Sequence, residues 1–212
     1  MHFELDKHAR PIGKAVSLLF LLTLSLFLTG CSDEIIVLPR DFSSIDGEFK
    51  LNDPVEDDLR FPVSVIKVRG SKAPEISEYF LQFDDRTEEE AYLTMQLPHS
   101  RQANSTIQPH FHWQSEDNSA GNVVWCVSYS CANIYDDFPN FQTSCTISQS
   151  MEDVTTHLMS PMIEINNSLS SSAMCKMRIY RDATATADTY GQDANLMEFD
   201  VHVYKDKLGE NR

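Results

Sequence analysis

The segment 122-NVVWCVSYSCAN-133 decides the fold class, because its side chains divide by parity. Trp125, Val127, Tyr129 and Cys131 fall on one side, and Cys126, Ser128 and Ser130 on the other. Successive residues of a strand point to opposite faces of a sheet, so this alternation describes a strand with one packed face and one wet face. Strands of that kind belong to antiparallel sheets. The same division recurs at 173–181, where Cys175, Met177 and Ile179 oppose Lys176, Arg178 and Tyr180. At 195–204, Phe199, Val201 and Val203 oppose Glu198, Asp200, His202 and Tyr204.

Outward from these three segments, further runs rich in Val, Ile, Phe, Tyr and Trp stand at 61–68, 79–83, 91–97, 105–113 and 141–148. Polar stretches containing Gly, Pro, Asn, Asp and Ser separate them, which is the pattern of a sandwich or barrel. The expected fold is all-β, a two-sheet antiparallel sandwich of about eight strands. Trp113, Trp125, Tyr129, Phe199 and Val201 are expected to share one core. Only 150–159 carries helix signals, with Ser150 as the cap and Glu152 and Asp153 in the first turn.

The chain opens differently. Lys7, Arg10 and Lys14 precede the apolar run 15-AVSLLFLLTLSLFLT-29, which leads into 28-LTGC-31. The run has the length of a secretory signal core and falls short of the roughly 20 residues that span a bilayer. Small residues before a cysteine resemble the lipobox of bacterial lipoproteins, which implies lipidation of Cys31. The expected organisation is a signal peptide at 1–30, forming an apolar helix, and a tether or extended arm at 31–58. The β-sandwich follows at 59–209, with a short tail at 210–212.

Past Cys31 the chain holds 14 basic and 30 acidic side chains. A surface this acidic repels phosphate backbones and anionic headgroups, so no nucleic-acid partner is expected, and no membrane contact other than a lipidated N-terminus. The remaining cysteines, Cys126, Cys131, Cys145 and Cys175, match no zinc spacing. Export permits disulfides, and four cysteines allow three pairings. Cys145 and Cys175 both fall on expected core faces, which makes them a candidate pair if their Cα atoms approach within about 7 Å.

The stretch 107-IQPHFHWQ-114 raises the question of chemistry. Ile107, Pro109, Phe111 and Trp113 form its apolar side, which leaves His110 and His112 on the polar side. Two imidazoles about 7 Å apart along a strand can converge on one metal if a neighbouring strand supplies a third ligand. Asp200 and His202 lie on the polar side of the last strand, so His110, His112, His202 and Asp200 are the metal candidates. HxH with Glu116 downstream also resembles part of the first cupin motif, which would imply a metal inside a β-barrel. The plainer reading is that Phe111 and Trp113 anchor the core while the histidines line a polar face. No phosphate-cradling glycine loop and no GxSxG elbow occurs, and 84-DDRTEEE-90 reads as a solvated acidic loop. No catalytic residues and no cofactor are expected.

Five runs together resemble a family of small virion-associated proteins of tailed bacteriophages. They are 58-DLRFPVSVIKVRG-70, 97-LPHS-100, 107-IQPHFHW-113, 121-GNVVWCVSYSCANIYDDFP-139 and 189-TYGQDANLMEFDVHVYKDKLG-209. The resemblance covers about Asp58 to Gly209 and implies a jelly-roll-like sandwich, oligomeric and without assigned activity. Three functions are therefore carried forward. The first is a non-catalytic structural or interaction protein of phage type, a virion head or tail appendage or a prophage-derived copy, whose partners are itself and other virion proteins. The second is an envelope lipoprotein displaying the same sandwich on the outer membrane or in the periplasm, for example in surface exclusion. The third is a cupin-like metal enzyme.

Overall fold

The computed structural model describes residues 42–45 and 48–209. The expected signal peptide, Cys31 and the tail lie outside the described residues. Twelve strands run in chain order among those described: β1 (Phe42–Ile45), β2 (Glu48–Pro62), β3 (Lys67–Val68), β4 (Glu75–Ile76), β5 (Leu81–Phe83), β6 (Glu89–Gln96), β7 (Gln108–Ser115), β8 (Asn122–Ala132), β9 (Gln142–Gln149), β10 (Leu158–Met159), β11 (Met174–Arg181) and β12 (Ala194–Lys207). A single 3-10 turn at Val63–Val65 separates β2 from β3.

All pairings are antiparallel, and they form two sheets. The first is ordered β2-β12-β7-β10, with β1 beside β2, while β5 continues along the edge of β12 where β2 leaves off. The second is ordered β3-β6-β11-β8-β9. Taking β2, β6, β7, β8, β9, β10, β11 and β12 as eight strands, one sheet reads first-eighth-third-sixth and the other second-seventh-fourth-fifth. That is jelly-roll connectivity, in which every chain neighbour but the fourth-fifth hairpin changes sheet and the first strand closes against the last.

The parity expected from the sequence holds in the core. Trp113, Trp125, Phe199 and Val201 are fully buried between the sheets, and half-buried Tyr129 packs against them. Phe111 stacks on Trp125 across the sandwich at 4.9 Å and 13°, with Phe83 edge-on to the same indole at 5.3 Å. The Trp113 Nε1–H donates to Ser148 Oγ at 2.9 Å, so a buried polar group finds its partner on the facing sheet.

Three expectations are corrected. The stretch 31–58, read as a tether or extended arm, is strand from Glu48 onward, and Val55–Asp58 already pairs with β12. No helix forms at 150–159. Ser150 Oγ instead donates to the carbonyls of Ser119 and Gly121, Asp153 Oδ1 closes a turn on the Thr155 N–H, and Leu158–Met159 pairs with β7. Local bonds from Ser and Asp thus outcompete a short helix.

The third correction concerns the cysteines. Cys145 and Cys175 do not pair with each other. The disulfides are Cys126–Cys145 and Cys131–Cys175, each with Cα atoms 4.1 Å apart. Both join residues directly opposite one another on adjacent strands, β8 with β9 and β8 with β11. The reason lies in β9, an edge strand whose apolar and polar sides are exchanged. Cys145 and Ile147 face outward, while Ser148 is buried.

Candidate functional site

The outer face of the first sheet gathers what the sequence left on the polar side of β7 and β12. Register sets the arrangement: Asp200 of β12 lies between His110 of β7 and Arg60 of β2, and His202 lies between Gln108 and Asp58. Glu198 stands opposite His112, and a bulge between Leu196 and Glu198 turns β12 so that Leu196 and Phe199 both face the core. Met159 of β10 pairs with His112 on the other side, which brings His157 to its ring.

The expectation that both imidazoles sit on a wet face is half met. They face away from the core, but His110 is only 1% exposed. The rings of His112 and His202 cover it, with centroids at 4.8 and 4.5 Å. Burial, and then the neighbouring histidines, push the His110 imidazole below its ordinary value and favour the neutral ring.

Hydrogen bonding fixes the tautomers. His110 Nδ1 lies 3.4 Å from the Gln108 carbonyl, an acceptor only, so Nδ1 carries the proton and Nε2 presents a lone pair. That Nε2 is 2.9 Å from His112 Nε2, which in turn stands 3.4 Å from Asp200 Oδ2. The far side of the His112 ring is also occupied, with Nδ1 at 2.7 Å from His157 Nε2. Asp200 is 4% exposed, and its Oδ1 has no hydrogen-bond partner. Burial works to raise its carboxyl, but His112 and the nearby imidazoles hold it below the ordinary aspartate value.

Of the four metal candidates, three converge. The donor atoms of His110, His112 and Asp200 lie within 4.8 Å of one another. His202 is turned aside: its Nε2 meets Asp58 Oδ1 at 2.8 Å, and its Nδ1 stands 3.5 Å from Glu56. The cluster opens onto a concavity of about 730 Å³ lined also by Arg60, His157, Met159 and Met197. Arg60 is held there by two bonds to Glu198, at 2.6 and 2.7 Å.

This is not a cupin arrangement. The position inside the sandwich that a cupin metal would take is filled here by Phe111, Trp113, Trp125 and Phe199. Sequence reasoning put His157 in the helix expected at 150–159 and read it as a surface residue; with no helix there, pairing of Leu158–Met159 with β7 brings it to His112 instead. Sequence reasoning missed Arg181, a fully buried guanidinium that binds Asp188 at 3.0 and 2.7 Å and the carbonyls of Phe83 and Gln192. The acidic run at 84–90 contributes Asp84 and Asp85, which approach Asp193, but Asp84 is engaged by the Arg86 and Thr87 N–H groups.

No family model matches the chain, and no curated protein matches it at a significant level. Among solved structures, dimeric latent PorU from Porphyromonas gingivalis is similar at 11% identity and a TM-score of 0.33, over 73% of this chain. The chain spans only 13% of PorU. The receptor binding domain of the spike protein P1 from bacteriophage PM2 is similar at 9% identity and a TM-score of 0.32, over 66% of this chain and 98% of that domain. Likenesses this distant assign neither an activity nor a partner to the present chain.

Proposed function

We propose that the chain is a non-catalytic structural or interaction protein of phage type, a virion head or tail appendage or a prophage-derived copy of one. The observation that supports this reading is the meeting of the runs that resemble the virion-associated family. The runs 58-DLRFP-62, 109-PHFHW-113 and 198-EFDVH-202 lie far apart in the sequence. They are hydrogen-bonded side by side as β2, β7 and β12, with Phe61 opposite Phe199 and Phe199 opposite Phe111. Trp125, from the fourth run, stacks on Phe111 from the facing sheet. The resemblance therefore falls on residues that build one sandwich and one outer face together. Assembly with further copies or other virion proteins would cover the open edge of β9, where Ile147 is 48% exposed. Mass spectrometry of purified particles tests the proposal: the chain is expected among the virion proteins, and its absence from particles of a producing strain would contradict it.

A second reading is favoured by the cysteines. Two disulfides across neighbouring strands fit assembly in an oxidising compartment, as the leader ending in 28-LTGC-31 implies. In that reading the same sandwich is displayed as an envelope lipoprotein. Cys31→Ala is expected to leave an unprocessed precursor, and unchanged migration on a gel would remove the idea.

A further inference from the structure

We infer that His110, His112 and Asp200 form a binding site for a divalent cation of the zinc class on the outer face of the β7–β12 ladder. Three independent features converge on it. The first is spacing. A tetrahedral centre with metal–donor bonds of 2.0–2.2 Å places its donors about 3.3 Å apart. The His110 Nε2–His112 Nε2 and His112 Nε2–Asp200 Oδ2 separations, 2.9 and 3.4 Å, bracket that value. All three atoms lie within 4.8 Å of one another, so side-chain shifts of an ångström or less would gather them around one ion.

The second feature is preparation of the donors. His110 carries its proton on Nδ1, directed at the Gln108 carbonyl, and offers Nε2 unprotonated. His112 can do the same if its ring proton moves from Nε2 to Nδ1 and that of His157 from Nε2 to Nδ1, so that His157 Nε2, 2.7 Å away, turns from donor to acceptor. An outer partner on the far nitrogen is how protein metal sites fix the tautomer and orientation of a ligating histidine. The third feature is unmet polarity. Asp200 Oδ1 is buried with no hydrogen-bond partner. A cation bound there would engage the carboxylate.

Two imidazoles with one carboxylate select a borderline ion such as Zn²⁺ or Co²⁺ over Ca²⁺ or Mg²⁺, which prefer sets made wholly of oxygen. A fourth position faces the concavity and is open to water. The ion would join β7 to β12 by a bond that the sheet otherwise lacks. The inference stands apart from the virion reading, since particle proteomics and metal binding are separate measurements.

The test is equilibrium dialysis of the purified full-length chain, stripped with EDTA, against Zn²⁺, with Co²⁺ absorption reporting geometry. One equivalent is expected, with the intense visible bands of tetrahedral cobalt. His112→Ala and Asp200→Asn should abolish stoichiometric binding. His157→Ala should weaken it by about 10- to 100-fold through loss of the outer partner. His202→Ala should leave it unchanged. Circular dichroism shows whether each variant is folded; should Asp200→Asn fail to fold, His112, with a side chain 20% exposed, still decides. Absence of binding by the folded parent, or equal binding by folded His112→Ala, would overturn the proposal. So would octahedral cobalt spectra that no substitution alters.

Discussion

The two outer faces of the sandwich both carry charged side chains and use them in opposite ways. On the second sheet, Lys67, Arg69, Lys176 and Arg178 border the larger concavity, about 780 Å³. There Arg178 pairs with Glu88 and Glu90 and also covers the Tyr180 ring at 3.9 Å. Lys176 sits 3.6 Å above Phe138, Arg69 lies over Tyr92, and Cys126–Cys145 ties the strands beneath. On the first sheet, by contrast, Asp200 keeps a buried oxygen without a hydrogen-bond partner. A polar network whose members are paired with one another acts as structure, whereas one left short of a partner is where a ligand would gain most. The smaller concavity is therefore the more informative one.

The two faces share a core, and the largest expected effect removes that common ground. Trp125→Ala should cost about 3–5 kcal/mol, because a fully buried indole contacting both sheets leaves a cavity that neither can close. Denaturant unfolding should remain a single transition at a lower midpoint. Two separate transitions would mean that the sheets are independent and the comparison is misdrawn.

Covalent ties distinguish the faces next. Replacing Cys131 and Cys175 by Ala should cost about 4 kcal/mol, and replacing Cys126 and Cys145 about 3, because the first bond closes 44 residues and the second 19. Unfolding of the two double mutants checks the order. Peptide mapping without reduction should recover these two pairs and no others.

Metal sharpens the contrast further. Zn²⁺ at a hundredfold excess over its dissociation constant should stabilise the parent by about 2.7 kcal/mol. The gain should persist in the Cys126→Ala/Cys145→Ala variant, since that bond lies on the other sheet. It should vanish in His112→Ala.

The smallest effect is proton-linked. In the unfolded chain His110 takes up a proton near 6.5, whereas burial lowers that value in the fold. Between the two values the unfolded state binds more protons, so stability falls as the pH drops below 6.5. The slope is at most about 1.4 kcal/mol per pH unit for one proton. Asp200, with its carboxyl held below 3.8, keeps its own contribution throughout that window. Metal-free unfolding at about pH 7 and about pH 5 measures the slope, and His110→Gln should flatten it.

Much of this was legible in the sequence. Parity at 122–133, 173–181 and 195–204 placed Trp125, Met177 and Val201 inside and Lys176, Asp200 and His202 outside. The same rule put His110 and His112 on the correct side of β7. It could not tell that the side was crowded, because the crowding comes from strands about 50 to 90 residues away, whose register alternation does not encode. His157 reached the cluster from a segment without period. Cys145 was assigned inward because apolar residues are expected to face the core, and β9 breaks that rule with Ile147 outside and Ser148 within. Arg181 lies at an inward position where a charge is unexpected, and only Asp188 and three carbonyls make it tolerable there.

The contrast between a completed face and an incomplete one is tested most directly by diffraction at the zinc absorption edge from crystals grown with Zn²⁺. One anomalous peak is predicted, about 2 Å from His110 Nε2, His112 Nε2 and Asp200 Oδ2. A well-ordered first sheet with no peak there, or with zinc seated instead among the cations of the second sheet or at Asp84 and Asp193, would contradict the account.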